Sequence, residues 1–244
     1  IGPSAIKYGP NTVGGAINVV SRSITDNNAD EGGEGMIDLA YGQENYQKAH
    51  AHYSQNIDSD NALTGKGQFG FLVEALHLGT DGFKELSYGE GDNHSANQET
   101  GFDKNEVILK LNFTPEHSAY SQFFQMKMGY SEEVSDETYL GLTDGDFAVN
   151  SKHRYAASQK DKMDWEHYQF QVSHYMELNN DISLFTQAYH REFDRDWDRL
   201  NSFNTTKRSM QTILSSPDTG VNKLFMQVLR GERDSLTDEE TLIF

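Results

Sequence analysis

Hydrophobic and polar positions alternate with a period of two along most of the chain. In Asn105 to Phe113, residues Val107, Leu109, Leu111 and Phe113 share one face of an extended strand, and Glu106, Lys110 and Asn112 share the other. The next run sets Phe124, Met126, Met128 and Tyr130 against Ser121, Gln125 and Lys127, with Phe123 interrupting the polar side. A third sets Tyr168, Phe170 and Val172 against His167, Gln169, Gln171 and Ser173, and a fourth puts Phe185, Tyr189, Phe193 and Trp197 on one face. Weaker runs precede these: Ile37, Leu39 and Tyr41; Ala49, Ala51 and Tyr53 alternating with His50, His52 and Ser54; and Phe69, Phe71, Val73 and Ala75. No long segment has the 3.6-residue period of an amphipathic helix. The pattern predicts an all-β chain of about seven antiparallel strands between Gly35 and Trp197.

The connections add to this picture. Thr114 to Ser118 and Leu178 to Asp181 read as tight turns, whereas Gly79 to Lys104, Ser131 to Asp164 and Arg199 to about Leu224 are long and polar. Alternation of short and long connections is the habit of an outer-membrane barrel, with turns on one side and loops on the other. A soluble sandwich mixes both lengths at both ends. Gly42 to Asn45 is short and Asn56 to Gly67 middling, which blurs the alternation at the start.

Composition narrows the function classes. The 244 residues have a mean hydropathy of -0.72, yet a transmembrane strand needs only about 9 to 11 residues with alternate ones apolar, so the low mean does not exclude a barrel. No window reaches the length of a membrane helix. Thirty-eight acidic residues against 20 basic ones, a formal charge of -18, exclude nucleic acid as the expected partner. The absence of cysteine excludes disulfides, thiolate zinc sites and a cysteine nucleophile. The chain opens at Ile1 with no signal-peptide pattern.

The opening segment is the most specific. It reads Gly2-Pro3-Ser4-Ala5-Ile6-Lys7-Tyr8-Gly9-Pro10-Asn11-Thr12-Val13-Gly14-Gly15-Ala16-Ile17-Asn18-Val19-Val20-Ser21-Arg22. Gly9-Pro10 and Gly14-Gly15 permit tight turns, and Ala16 to Ser21 is a short β-rich run that needs a sheet to join. A phosphate-binding loop is the competing reading, but neither Lys-Ser nor Lys-Thr follows the glycines. The segment resembles the C-terminal signature of the plug in TonB-dependent outer-membrane receptors, on Tyr8, Gly9, Gly14, Gly15 and Asn18. Residues 154–165 and 228–235 are similar to stretches of the ferric dicitrate receptor branch.

The resemblance implies a fold and a partition. Residues 1–22 correspond to the end of the plug, 23–35 to a linker, and 36–244 to the N-terminal part of a transmembrane antiparallel β-barrel that about seven strands cannot close. The family's barrel has about 22 strands. It further implies a fragment of a receptor in the outer membrane of a Gram-negative bacterium, in contact with lipid, taking up an iron chelate such as a siderophore or ferric dicitrate. The Ton box that engages the TonB complex is missing from these residues, and no cofactor is implied.

Candidate sites follow from residue chemistry. His50 and His52 project to one face of a strand at a spacing that suits a metal ion, but no third ligand is evident, and lumen-facing histidines are the plainer reading. Arg191, Arg195 and Arg199 share a side with Phe193 and Trp197, opposite Asp194, Asp196 and Asp198, and read as a solvated strand end. For a carboxylate-rich chelate, Arg154 in a long loop is the guanidinium of choice, with Tyr155 beside it as a hydroxyl and ring donor. No nucleophile, base and orienter set is found, so no enzyme activity is expected. Two other readings stay open: a small eight-stranded outer-membrane barrel with a structural or adhesion role, and a soluble β-sandwich binding module. The receptor reading expects an open sheet whose last strand lacks one neighbour, and Ala16 to Arg22 lying on the polar face with His50, His52, Lys110, Gln169 and Gln171.

Overall fold

Seven strands pair in chain order to make one antiparallel sheet: β1 (Glu34–Tyr41), β2 (Gln47–Asn61), β3 (Gly65–Thr80), β5 (Phe102–Pro115), β6 (Ser121–Asp136), β8 (Lys162–Asn179) and β9 (Ile182–Asp198). A two-stranded parallel ladder joins β4 (Glu85–Leu86) to β7 (His153–Arg154). The computed structural model describes residues 17, 19–61, 65–86, 100–116, 118–203 and 208–233. Among these, β1 pairs only with β2 and β9 only with β8, so the sheet is open at both edges. The described residues do not form a sandwich of two face-to-face sheets. No helix among the described residues is long and apolar enough to cross a membrane, which says nothing about strands.

Six of the strands run 14 to 18 residues, longer than the alternation suggested. β2 and β3 extend to Asn61 and from Gly65, so the middling link expected at 56–67 is a short hairpin instead. The β2–β3, β5–β6 and β8–β9 links are short and lie at one end of the sheet. The β3–β5 and β6–β8 links are long and lie at the other, together with the β1–β2 turn, where Glu44 and Asn45 both take positive φ.

The two faces differ in chemistry. One presents Ile37, Tyr53, Val73, Val107, Met128 and Phe170, all exposed, and is called here the bare face. The other is crossed by residues 19–28 and is called the covered face. β9 departs from the expected pattern. Its register pairs Tyr189 with Gln171 and Phe193 with His167, so the aromatic side of β9 joins the polar covered face, while Ala188, His190 and Glu192 continue the bare one.

The long loops carry helices too short for a sequence period to reveal: α1 (Asp144–Val149), a 3₁₀ turn (Ala156–Lys160), α2 (Met210–Ser215) and α3 (Asn222–Leu229). Leu140, Tyr155, Met210, Ile213, Phe225, Met226 and Leu229 bury one another there, giving the loop end its own small core. Residues expected to be unstructured polar loop within 131–164 and 199–224 thus form a packed layer.

Candidate functional site

The covered face is built by every second residue of six strands. His52, Glu74, Ile108, Gly129, Gln169 and Arg191 stand in one cross-strand row, and Ser54, Leu72, Lys110, Lys127, Gln171 and Tyr189 in the next. Lys110 and Lys127 are direct neighbours of like charge, an arrangement that costs energy unless one is neutralised. Lys110 Nζ turns instead to the carbonyl oxygens of Ser21 at 3.1 Å and Arg22 at 2.6 Å. Further along, the Thr25 amide donates to Ser54 Oγ at 2.6 Å, and Asn56 Nδ2 donates to the carbonyls of Thr25 and Asn27, both at 2.8 Å. Strand side chains therefore satisfy the backbone of a segment that has no ladder of its own. Gly70 makes this possible, since a Cβ there would overlap the amide oxygens of Asn56 and Asn112.

Beside the segment lies a groove of about 800 Å³, with Val19 to Arg22 on one wall and His50, Glu74, Glu106, Lys127 and Gln169 on the other. Arg22 Nε is 3.7 Å from Glu74 Oε1, and His50 Nε2 meets the same oxygen at 2.7 Å. The arrangement suits a polar solute of mixed charge. Sequence alternation placed His50, His52, Lys110, Gln169 and Gln171 together correctly, and of the segment 16–22, residues 19–22 lie against that face. The signature residues Tyr8, Gly9, Gly14, Gly15 and Asn18 lie outside the described residues.

Arg154 and Tyr155 part company. Arg154 is half-buried on β7 and donates to the carbonyl oxygens of Ser151 and His153. Tyr155 is buried in the loop core, where its hydroxyl donates to Asp146 Oδ2 at 2.7 Å and accepts from the Thr143 amide. It therefore offers no exposed ring or hydroxyl to a ligand, contrary to the role expected of it. Burial alone would raise the Asp146 carboxyl, but hydrogen bonds from Tyr155, Arg230 and Thr143 together hold it below the ordinary range. Near Arg154, burial and then the guanidinium itself push the Lys84 ammonium down, and Lys84 Nζ donates to Thr138.

At the loop end of β9 the arginines stack on aromatic rings. Arg199 lies 4.5 Å from the Trp197 ring and Arg195 5.1 Å, while Tyr139 packs 5.2 Å from the same indole. This reading was missed because Tyr139 is remote in sequence and gives no local signal. Comparison with known proteins finds no matching family model, no significantly similar curated protein and no significantly similar solved structure.

Proposed function

We propose that this chain is part of a TonB-dependent outer-membrane receptor for an iron chelate, with the bare face toward lipid and the covered face toward the lumen. The observation that carries the reading is the slant of the apolar band. On β1 its last residue at the loop end is Tyr41, across β3, β5, β6 and β8 Ala75, Val107, Tyr130 and Tyr168 end it on one row, and on β9 it stops at Ala188. Through the register Tyr41 is level with Asp196, eight residues beyond Ala188 (196 less 188). Eight residues are about 26 Å along a strand and six inter-strand spacings about 29 Å, so from edge strand to edge strand the end of the band descends at a mean of about 40° to the ladder, the descent falling at the outer strands. Transmembrane strands tilt by about 35–45°, which a band level with a bilayer requires.

Two further features support the reading. Among the described residues both sheet edges are unpaired, the β9 edge over 17 residues, a hazard in an isolated protein but the natural margin of a larger barrel. The opening motif resembles a receptor plug, and its continuation lies on the polar face. The chain has no native cysteine, so single cysteines report membrane placement cleanly. In outer membranes of cells expressing the gene, Leu109→Cys is expected to resist an aqueous maleimide, and Asp103→Cys, on the same face at the loop end, to react. Equal reaction of both sinks the membrane reading. Loss of growth on ferric citrate under iron limitation when the gene is deleted tests the cargo separately.

A further inference from the structure

We propose that His50, His52 and Glu74 form a binding site for a divalent transition-metal ion, of the zinc, cobalt or nickel class. The site does not depend on the transport reading above. His50 and His52 are two residues apart on β2 and point to the covered face, and Glu74 on β3 stands directly opposite His52. Each offers one ligand atom, and the three atoms all lie within 4.8 Å of one another. Around a zinc ion with bonds of about 2.0–2.2 Å, ligand atoms lie roughly 3.3 Å apart, so side-chain rotation closes the remaining distance.

A plain hydrogen-bonded cluster does not account for all three residues. His50 Nε2 and Glu74 Oε1 satisfy each other at 2.7 Å. His52 is left over: it is 8% exposed, and its Nδ1 has no hydrogen-bond partner among the described residues. A buried imidazole nitrogen without a partner calls for an explanation, and a cation is one that uses its lone pair. Two imidazoles and one carboxylate select a borderline cation over calcium or magnesium, which take oxygen ligands.

Three protein ligands leave a fourth position open, as in zinc sites that hold water or a small ligand. Here that position faces the groove walled by Val19 to Arg22. Arg22, 3.7 Å from the same Glu74 oxygen, is the cation that a metal ion displaces. Metal binding and the docking of the 19–28 segment therefore compete for one carboxylate.

The test is a titration of the untagged full chain with cobalt(II) and zinc(II). One equivalent of cobalt is expected to give the intense visible absorption of a four-coordinate site, and zinc K-edge absorption of the wild-type chain to count two imidazole ligands. His52→Ala is expected to weaken zinc binding at least tenfold, and Arg22→Gln to strengthen it severalfold, with millimolar magnesium unable to compete. Weak six-coordinate cobalt bands, no imidazole at the zinc edge, or unchanged zinc affinity in a correctly folded His52→Ala chain overturns the proposal. Should that variant lose its sheet by circular dichroism, the ligand count on the wild-type chain decides alone.

Discussion

Lys110 Nζ lies 2.6 Å from the carbonyl oxygen of Arg22, 88 residues away in the chain. The bond joins the middle of the sheet to the segment that crosses it. It also lets two lysines, 110 and 127, stand side by side, because the carbonyls of Ser21 and Arg22 face one of them. A hydrogen bond from a charged donor contributes about 1.5–3 kcal/mol, so Lys110→Met is expected to speed amide exchange in 19–28 by about ten- to a hundredfold. Methionine keeps much of the apolar stem and removes the donor. Exchange within β5 and β6 should not change, and equal acceleration there would show that the variant disrupts the sheet instead of the docking.

Gly70 gives a second handle on the same segment. Because a side chain at 70 collides with Asn56 and Asn112, Gly70→Val is expected to pull Asn56 off the carbonyls of Thr25 and Asn27. Asn56→Ala removes those bonds directly. The double variant should then be little worse than either single one, since both act through one contact. Strict additivity of the two effects on exchange at Thr25 and Asn27 argues against that route.

The loop layer should open in acid. The Asp146 carboxylate receives Arg230 Nη2 at 3.1 and 2.9 Å and the Tyr155 hydroxyl at 2.7 Å, and its folded-state pKa is lowered. A lowered carboxylate contributes stability above its unfolded pKa and loses it as the pH falls through the folded value. Asp161 acts in the opposite sense: burial raises it, so its contribution is present at low pH and fades as the pH rises. Limited proteolysis at 199–233 is therefore expected to stay slow from neutral pH to the ordinary carboxylate range and to accelerate as the pH falls below it. Asp146→Asn should weaken the layer by about 1–3 kcal/mol at neutral pH and remove most of the acid dependence. An acid response unchanged in that variant assigns it to another group.

What the alternation made legible was the local geometry of each strand, and what it hid was everything that depends on neighbours. Val107, Leu109 and Leu111 declare a face because a strand has a period of two. The side of the sheet on which that face ends is set by register, which is why the aromatic row of β9 fell on the polar side. His50 and His52 were visible as a pair, but Glu74 joins them only through the β2–β3 ladder. Helices of six to eight residues, such as α1 and α2, span about two turns and leave no readable period, so Met210 and Ile213 looked like loop residues although both are buried. Arg154 and Tyr155 were adjacent in sequence and so were read as one site. Alternation itself separates them, sending one side chain toward the surface and the other into the core.

That separation yields the last prediction, which rests on the receptor reading. Among the described residues Arg154 donates to the backbone of its own turn, at Ser151 and His153, and its burial is partial. Removing its side chain should leave the loop core closed. Tyr155, in contrast, joins Asp146 to the Thr143 amide, so Tyr155→Phe leaves two polar partners short of a bond and is expected to cost about 1–3 kcal/mol in that layer. With ferric citrate as the probe, Arg154→Ala is expected to weaken binding about tenfold, the share of a charge-assisted contact of about 1.4 kcal/mol, without raising protease sensitivity. Tyr155→Phe should do the reverse at first order, raising protease sensitivity most and affecting binding only as far as the layer loosens. If Arg154→Ala binds ferric citrate as tightly as the parent, the guanidinium is not a ligand contact, and the arginines stacked on Trp197 become the groups to substitute next.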